Sequence, residues 1–177
     1  MRRWISALGA AWSLSGCSLL SPVPLWELAK GGGAVVAKAL ELSPGDPADT
    51  VVHRPWRERA LCIELNPACP VGDIVPALQA ALAAQGVSSR VYDTGAAGAD
   101  CSAWMSYEAA LAWDVPAMSA APQAFMSQAT LGLRDGAGRV LGASRYDADQ
   151  QPLSRGKWAS TQAKLAPVVA ALLSPRS

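Results

Sequence analysis

The sequence predicts an α+β domain of order β-α-β-β-β-β-α: a mainly antiparallel sheet with two helices on one face. Three observations predict it. Residues 60–65 and 102–113 alternate large apolar with small or polar side chains, the period of a strand. Residues 73–85 and 160–173 carry apolar positions at helical spacing behind capping residues. Asp135-Gly136-Ala137-Gly138 separates two strand-like runs and supplies hairpin turn chemistry. Each helix must bury its apolar stripe on the only sheet available, so the opposite sheet face is left open.

The export segment comes first. Arg2 and Arg3 precede an apolar run, 4–14, that is too short to span a bilayer. Leu14-Ser15-Gly16-Cys17 follows and resembles the lipobox of bacterial lipoproteins. The resemblance implies cleavage after residue 16, diacylation of the Cys17 thiol and acylation of the new N-terminus, with palmitate among the expected groups. Each buried CH₂ contributes about 0.8 kcal/mol, so two or three chains hold firmly where one binds marginally. Ser18, where an Asp would imply retention at the inner membrane, implies sorting to the outer membrane, facing the periplasm.

The organisation expected is a signal peptide over 1–16, a lipidated Cys and flexible tether over 17–55, and one small α+β domain over 56–177. Pro22, Pro24, Pro44 and Pro47 punctuate the tether, and Gly31-Gly32-Gly33 breaks it. A short helix over 34–42 is expected after the glycines. The triplet lacks the Lys-Ser/Thr ending of a phosphate loop. A formal net charge of +1 with 16% charged residues gives no basic patch for nucleic acid. Seven Trp stand against a single Phe; most are expected to fill a small core, with some at surfaces that meet a partner or a membrane interface.

In the domain, Leu61, Ile63 and Leu65 share one strand face, and Cys62 and Glu64 share the other. Asp73 is placed to cap the first helix, with Pro76 in its first turn and Gly86 stopping it. Residues 87–92 form the next strand, parallel to the first. In the long strand 102–113, Ala103, Met105, Tyr107, Ala109, Leu111 and Trp113 form the core face. Trp104, Ser106 and Glu108 lie on the open face. Strands at 126–134 and 139–146 form the hairpin. Ser160 or Thr161 caps the last helix, and Leu165, Val168, Val169 and Leu172 face inward. Pro167 should bend this helix or shift its start to near Ala166.

Of four cysteines, Cys17 is assigned to lipid, which leaves Cys62, Cys69 and Cys101 in an oxidising compartment. One disulfide and one thiol are expected. The loop after the first strand carries Cys69, and the loop after the parallel second strand carries Cys101, so a Cys69–Cys101 bridge at one sheet edge is favoured. Cys62–Cys101 across adjacent strands is the rival. Cysteine spacing and a lone His give no zinc site, and no other metal or cofactor is expected.

At Asp73-Ile74-Val75-Pro76-Ala77-Leu78-Gln79, Tyr107-Glu108-Ala109-Ala110-Leu111-Ala112-Trp113-Asp114 and Lys157-Trp158-Ala159-Ser160-Thr161, the domain resembles a group of small proteobacterial lipoproteins. Some of these are labelled cell-division or penicillin-binding proteins. No Ser-x-x-Lys or Lys-Thr-Gly motif is present, and the chain is short for a transpeptidase. More distantly, the element order is similar to outer-membrane accessory lipoproteins of transport and envelope assembly. The resemblance covers residues 58–174. The first reading is a non-enzymatic accessory protein, held to the membrane through its lipid, whose open sheet face at Trp104 and Glu108, or a free strand edge, binds a protein partner of the envelope. The alternative is a small periplasmic hydrolase or cell-wall-modifying enzyme. It would require His53, Glu64 or Glu108 to converge in a pocket.

Overall fold

In the computed structural model, described over residues 36, 39, 40, 42–93, 95 and 101–174, six strands form a single mixed sheet. The elements are β1 (Ala48–Val52), β2 (Ala60–Glu64), α1 (Ile74–Ala84), β3 (Ser88–Tyr92), β4 (Ala103–Asp114), β5 (Gln123–Asp135), β6 (Val140–Asp147) and α2 (Thr161–Leu173). The order across the sheet is β1-β6-β5-β4-β2-β3. The β1–β6, β6–β5 and β5–β4 pairs are antiparallel, whereas β2 is parallel to both β4 and β3. The α+β class and the two-helix layer are as the patterning predicts.

Period-two alternation decides which face is covered. Ile63, Met105, Tyr107, Leu131, Leu133 and Tyr146 point into the core. They meet Ile74, Leu78 and Leu82 of α1 and Leu165, Val168, Val169 and Leu172 of α2. α1 ends in a Schellman arrangement. Gly86, at φ +72°, donates to the Ala83 carbonyl, and Val87 donates to the Leu82 carbonyl at 3.0 Å. Ser160 caps α2 by accepting the Ala163 N–H at 3.2 Å. α2 begins at Thr161 and runs through Pro167, so the start is not displaced to Ala166. Residues 36, 39, 40 and 42 are helical, inside the short helix expected over 34–42.

Three expectations are corrected. First, β1 lies within the stretch 17–55 read as tether, so residues 48–52 belong to the sheet and the order is β-β-α-β-β-β-β-α. Asp49 at φ +47° and a register shift between Ala48 and Val51 interrupt its alternation, which hid it. Second, Leu111 and Trp113 have the core-face parity of β4 but are 40% and 71% exposed, because the strand runs past the helix layer.

Third, the disulfide joins Cys62 to Cys101, and Cys69 is a free, half-buried thiol packed against the core. The favoured Cys69–Cys101 bridge assumed that the strand after β3 starts at the edge where β3 ends. β4 instead runs parallel to β2, with Cys62 beside Trp104, so it begins at the end of the sheet where β2 begins. Cys101 is thus delivered to Cys62, and Cys69 is left at the other end.

The chain entering β1 is held by close backbone approach. Gly156, at φ +71°, donates its N–H to the Leu40 carbonyl at 2.9 Å. A Cβ there would lie 2.8 Å from the Ser43 carbonyl and 3.0 Å from the Gly45 nitrogen. Gly156→Ala combines left-handed strain with this clash and is expected to destabilise by about 1–3 kcal/mol, read from urea unfolding. Non-reducing peptide mapping should link Cys62 to Cys101 and find Cys69 alkylated. Replacing both bridged cysteines by Ala should cost about 4 kcal/mol for a sequence separation of 39.

Candidate functional site

Among the described residues, two concave regions hold the candidate site side chains. The first lies on the open sheet face. Successive outward positions of β4 present Trp104, Ser106 and Glu108, and their cross-strand partners are Arg134, Gly132 and Thr130 of β5. Glu64, Ser106, Glu108, Thr130, Gly132 and Ala143 line a shallow groove of about 350 Å³. Gly132 is its floor: a Cβ there would come within 2.9 Å of the Ser106 Oγ. Glu64 is ion-paired to Arg134. Trp104 is half-buried and meets the Tyr92 ring at a centroid distance of 5.8 Å. Asn66 closes one end, donating to the Tyr107 carbonyl while its own N–H donates to the Tyr107 hydroxyl, both at 3.1 Å.

The sequence-predicted residues are thus distributed as follows. Trp104, Glu108, Glu64 and Cys62 share the open face, and Cys62 is occupied by its bridge to Cys101. His53 follows β1 and is exposed, with β6, β5 and β4 between it and β2, so the structure does not bring it to Glu64 or Glu108. Arg145 pairs with Asp49 at 2.5 Å and lies 3.8 Å from Asp147. Cys17 lies outside the described residues. Among the described residues, no group of three or more His, Cys, Asp or Glu is arranged to hold a metal ion.

The second region lies at the end of the molecule where both helices begin, and sequence reasoning missed it. A cavity of about 460 Å³ is lined by Asp73, Phe125, Trp158, Ser160, Thr161 and Lys164, among others. Asp73 does not cap α1 with its side chain. Its carboxylate instead accepts the Thr161 hydroxyl at 2.8 Å and joins the starts of the two helices. Lys164 is 1% exposed and donates to the Met126 carbonyl at 2.8 Å and the Lys157 carbonyl at 2.7 Å. The Phe125 and Tyr146 rings each lie 5.4 Å from its ammonium. Lys157 in turn pairs with Asp114 of β4. One signal was available in the sequence: Lys164 stands four residues before Val168, on the apolar stripe of α2.

Desolvation pushes the Lys164 ammonium from the usual 10.5 down to about 8, an effect that Asp73 opposes and Lys157 reinforces. Burial pushes the neighbouring Tyr146 phenol up to about 12, with Asp147 adding to the shift. Below pH 8 both folded and unfolded chains carry the Lys164 proton, and its burial weakens the fold. Between pH 8 and 10 the folded chain has released a proton that the unfolded chain still holds, so stability rises with pH. Above pH 10 the Tyr146 effect has the opposite sign. Urea unfolding from pH 7 to 10 should show this rise, amounting to at most about 3 kcal/mol, and Lys164→Met should abolish it.

No protein-family model matches the chain, and no curated protein matches it. Solved structures do share its fold. A PelC dodecamer from Paraburkholderia phytofirmans is 13% identical with a TM-score of 0.51, over 75% of this chain and 99% of that one. A point variant of PelC from the same organism, also a dodecamer, is 14% identical with a TM-score of 0.50, over 74% of this chain and all of that one. At these identities the likeness is one of fold.

Proposed function

We propose that this chain is a lipid-anchored accessory protein of the bacterial envelope. In this reading Cys17 holds it at the outer membrane, facing the periplasm, and the domain works by binding protein rather than by catalysis. The observation that carries the binding part is the uncovered sheet face. Its groove is floored by Gly132, flanked by the Glu64–Arg134 pair and Glu108, and continued along β4 by Trp104. A surface of small, polar and aromatic residues on a rigid sheet suits recognition of a protein, and Trp is the side chain most often found to dominate such contacts. The anchor is supported by Leu14-Ser15-Gly16-Cys17. Because the PelC structures that share the fold are dodecamers, a further copy of this chain is the first partner to test.

Cys17→Ser should move the protein out of the membrane fraction and remove incorporation of labelled palmitate. For the lipidated chain in detergent, light scattering after size exclusion measures self-association, and affinity purification from membranes captures other partners. Trp104→Ala and Gly132→Val, which respectively remove the anchor ring and fill the groove, should each weaken the recovered complex at least tenfold while leaving the circular dichroism unchanged. If both variants retained every partner and the parent's mass, the open face would be excluded as the interface.

A further inference from the structure

The β4–β5 hairpin is longer than the sheet that contains it. β2 pairs with β4 only at Trp104 and Met105, and β6 pairs with β5 only over 128–134. Beyond these, residues 111–114 pair with 123–126 and with no other described strand. Four residues carry this ribbon roughly 13 Å further. Its surface is apolar. Leu111, Trp113, Val115 and Met118 are 40%, 71%, 48% and 94% exposed. From Glu108 to Arg134 the only intervening charged residue is Asp114, and Lys157 neutralises it.

The tip also satisfies much of its own backbone. The Val115 N–H donates to the Asp114 carboxylate at 2.7 Å, the Ser119 N–H to the Pro116 carbonyl at 2.9 Å, and the Ala121 N–H to the Ser119 hydroxyl at 3.3 Å. Pro116 and Pro122 have no N–H to satisfy. A segment whose one charge is ion-paired and whose backbone is largely bonded internally enters a water-poor phase at reduced cost. The chain also enters the domain at this end: Leu42 lines the same cavity as Leu111 and Pro116. The described chain therefore begins its path into the domain beside the ribbon.

We propose that the ribbon tip, from Leu111 to Met118, inserts into the interfacial layer of the bilayer that holds Cys17. The inference rests on the anchor reading above. Met118 enters deepest and Trp113 sits behind it, at the level where indole rings favour the headgroup boundary. The reach of the ribbon exceeds the roughly 5–10 Å depth of an interfacial element, so the tip can enter while the sheet stays outside the bilayer. Insertion stands the strands of the sheet toward the membrane. It directs the β5–β6 turn away from the bilayer and leaves the open face accessible from the side.

The test uses the full lipidated chain with Cys69→Ser, labelled with an environment-sensitive fluorophore at either Met118→Cys or Val140→Cys. Val140, 59% exposed, lies beside the β5–β6 turn at the far end of β5. The chains are reconstituted into phosphatidylethanolamine–phosphatidylglycerol vesicles containing brominated acyl chains. The label at 118 should shift to the blue and lose most of its emission, and the label at 140 should do neither. Adding Trp113→Asp should restore the emission at 118 while circular dichroism stays native. A chain that floats with vesicles but whose label at 118 is not quenched overturns the insertion and leaves the anchor standing. A Cys17→Ser chain that still floats with its 118 label quenched keeps the insertion and removes the anchor. Failure of the lipidated chain to float overturns both. A blue shift without vesicles, accompanied by a larger mass, assigns the tip to a protein contact and overturns the proposal.

Discussion

A single buried cation governs how the parts of this domain meet. The Lys164 ammonium has left water and lies between the first turn of α2, the Met126 carbonyl of β5 and the Lys157 carbonyl of the preceding loop. Burying a charge costs several kcal/mol unless hydrogen bonds replace its hydration, so the geometry of all three segments is constrained together. Asp73 brings the start of α1 to the same place through Thr161, and Lys157 reaches Asp114 at the base of the ribbon. Two helices, a loop and the long hairpin are therefore registered at one point. Hydrophobic packing of α1 and α2 on the sheet is not directional and would not by itself fix that register.

The sequence reveals the elements that depend on their own residues and hides those that depend on a neighbour. α1 is legible because Pro76, Gly86 and the Ile74, Leu78, Leu82 stripe are all local signals. β6 and its turn are legible for the same reason. β1 is not, because its five residues are held by pairing with β6 across a bulge, and its contact from the Thr50 hydroxyl to the Ser144 hydroxyl spans most of the domain. The disulfide fails for a related reason. The sequence marks β4 as a strand without stating its direction relative to β2, and that direction determines which end receives Cys101.

The candidate surface is half legible. Period-two parity places Trp104, Glu108 and Glu64 on one face, and parity survives into the folded chain because it is a property of the strand alone. The groove requires β5 beside β4, so the contributions of Gly132 and Arg134 appear only once register is known. Trp113 shows the limit of parity: it shares the face of Met105, but a face is buried only where a helix covers it. Lys164 is hidden because a lysine on an apolar stripe ordinarily extends its ammonium to solvent, and only the two carbonyls above it give reason to stay.

The arrangement of cysteines bears on how the chain acquires its covalent form. Of the three cysteines in the domain, Cys62 and Cys69 emerge first in N-to-C synthesis and are separated by a short loop, whose closure is entropically easier than that of the native one. The native partner, Cys101, arrives later and belongs to a strand that must first lie parallel to β2. Oxidation in order of emergence would therefore join the wrong pair, and the native bridge would then require the Cys101 thiolate to attack the Cys62 sulfur and release Cys69 as the thiol. A chain oxidised in that order thus reaches its native bridge by exchange, whereas one that first pairs β4 with β2 closes it directly.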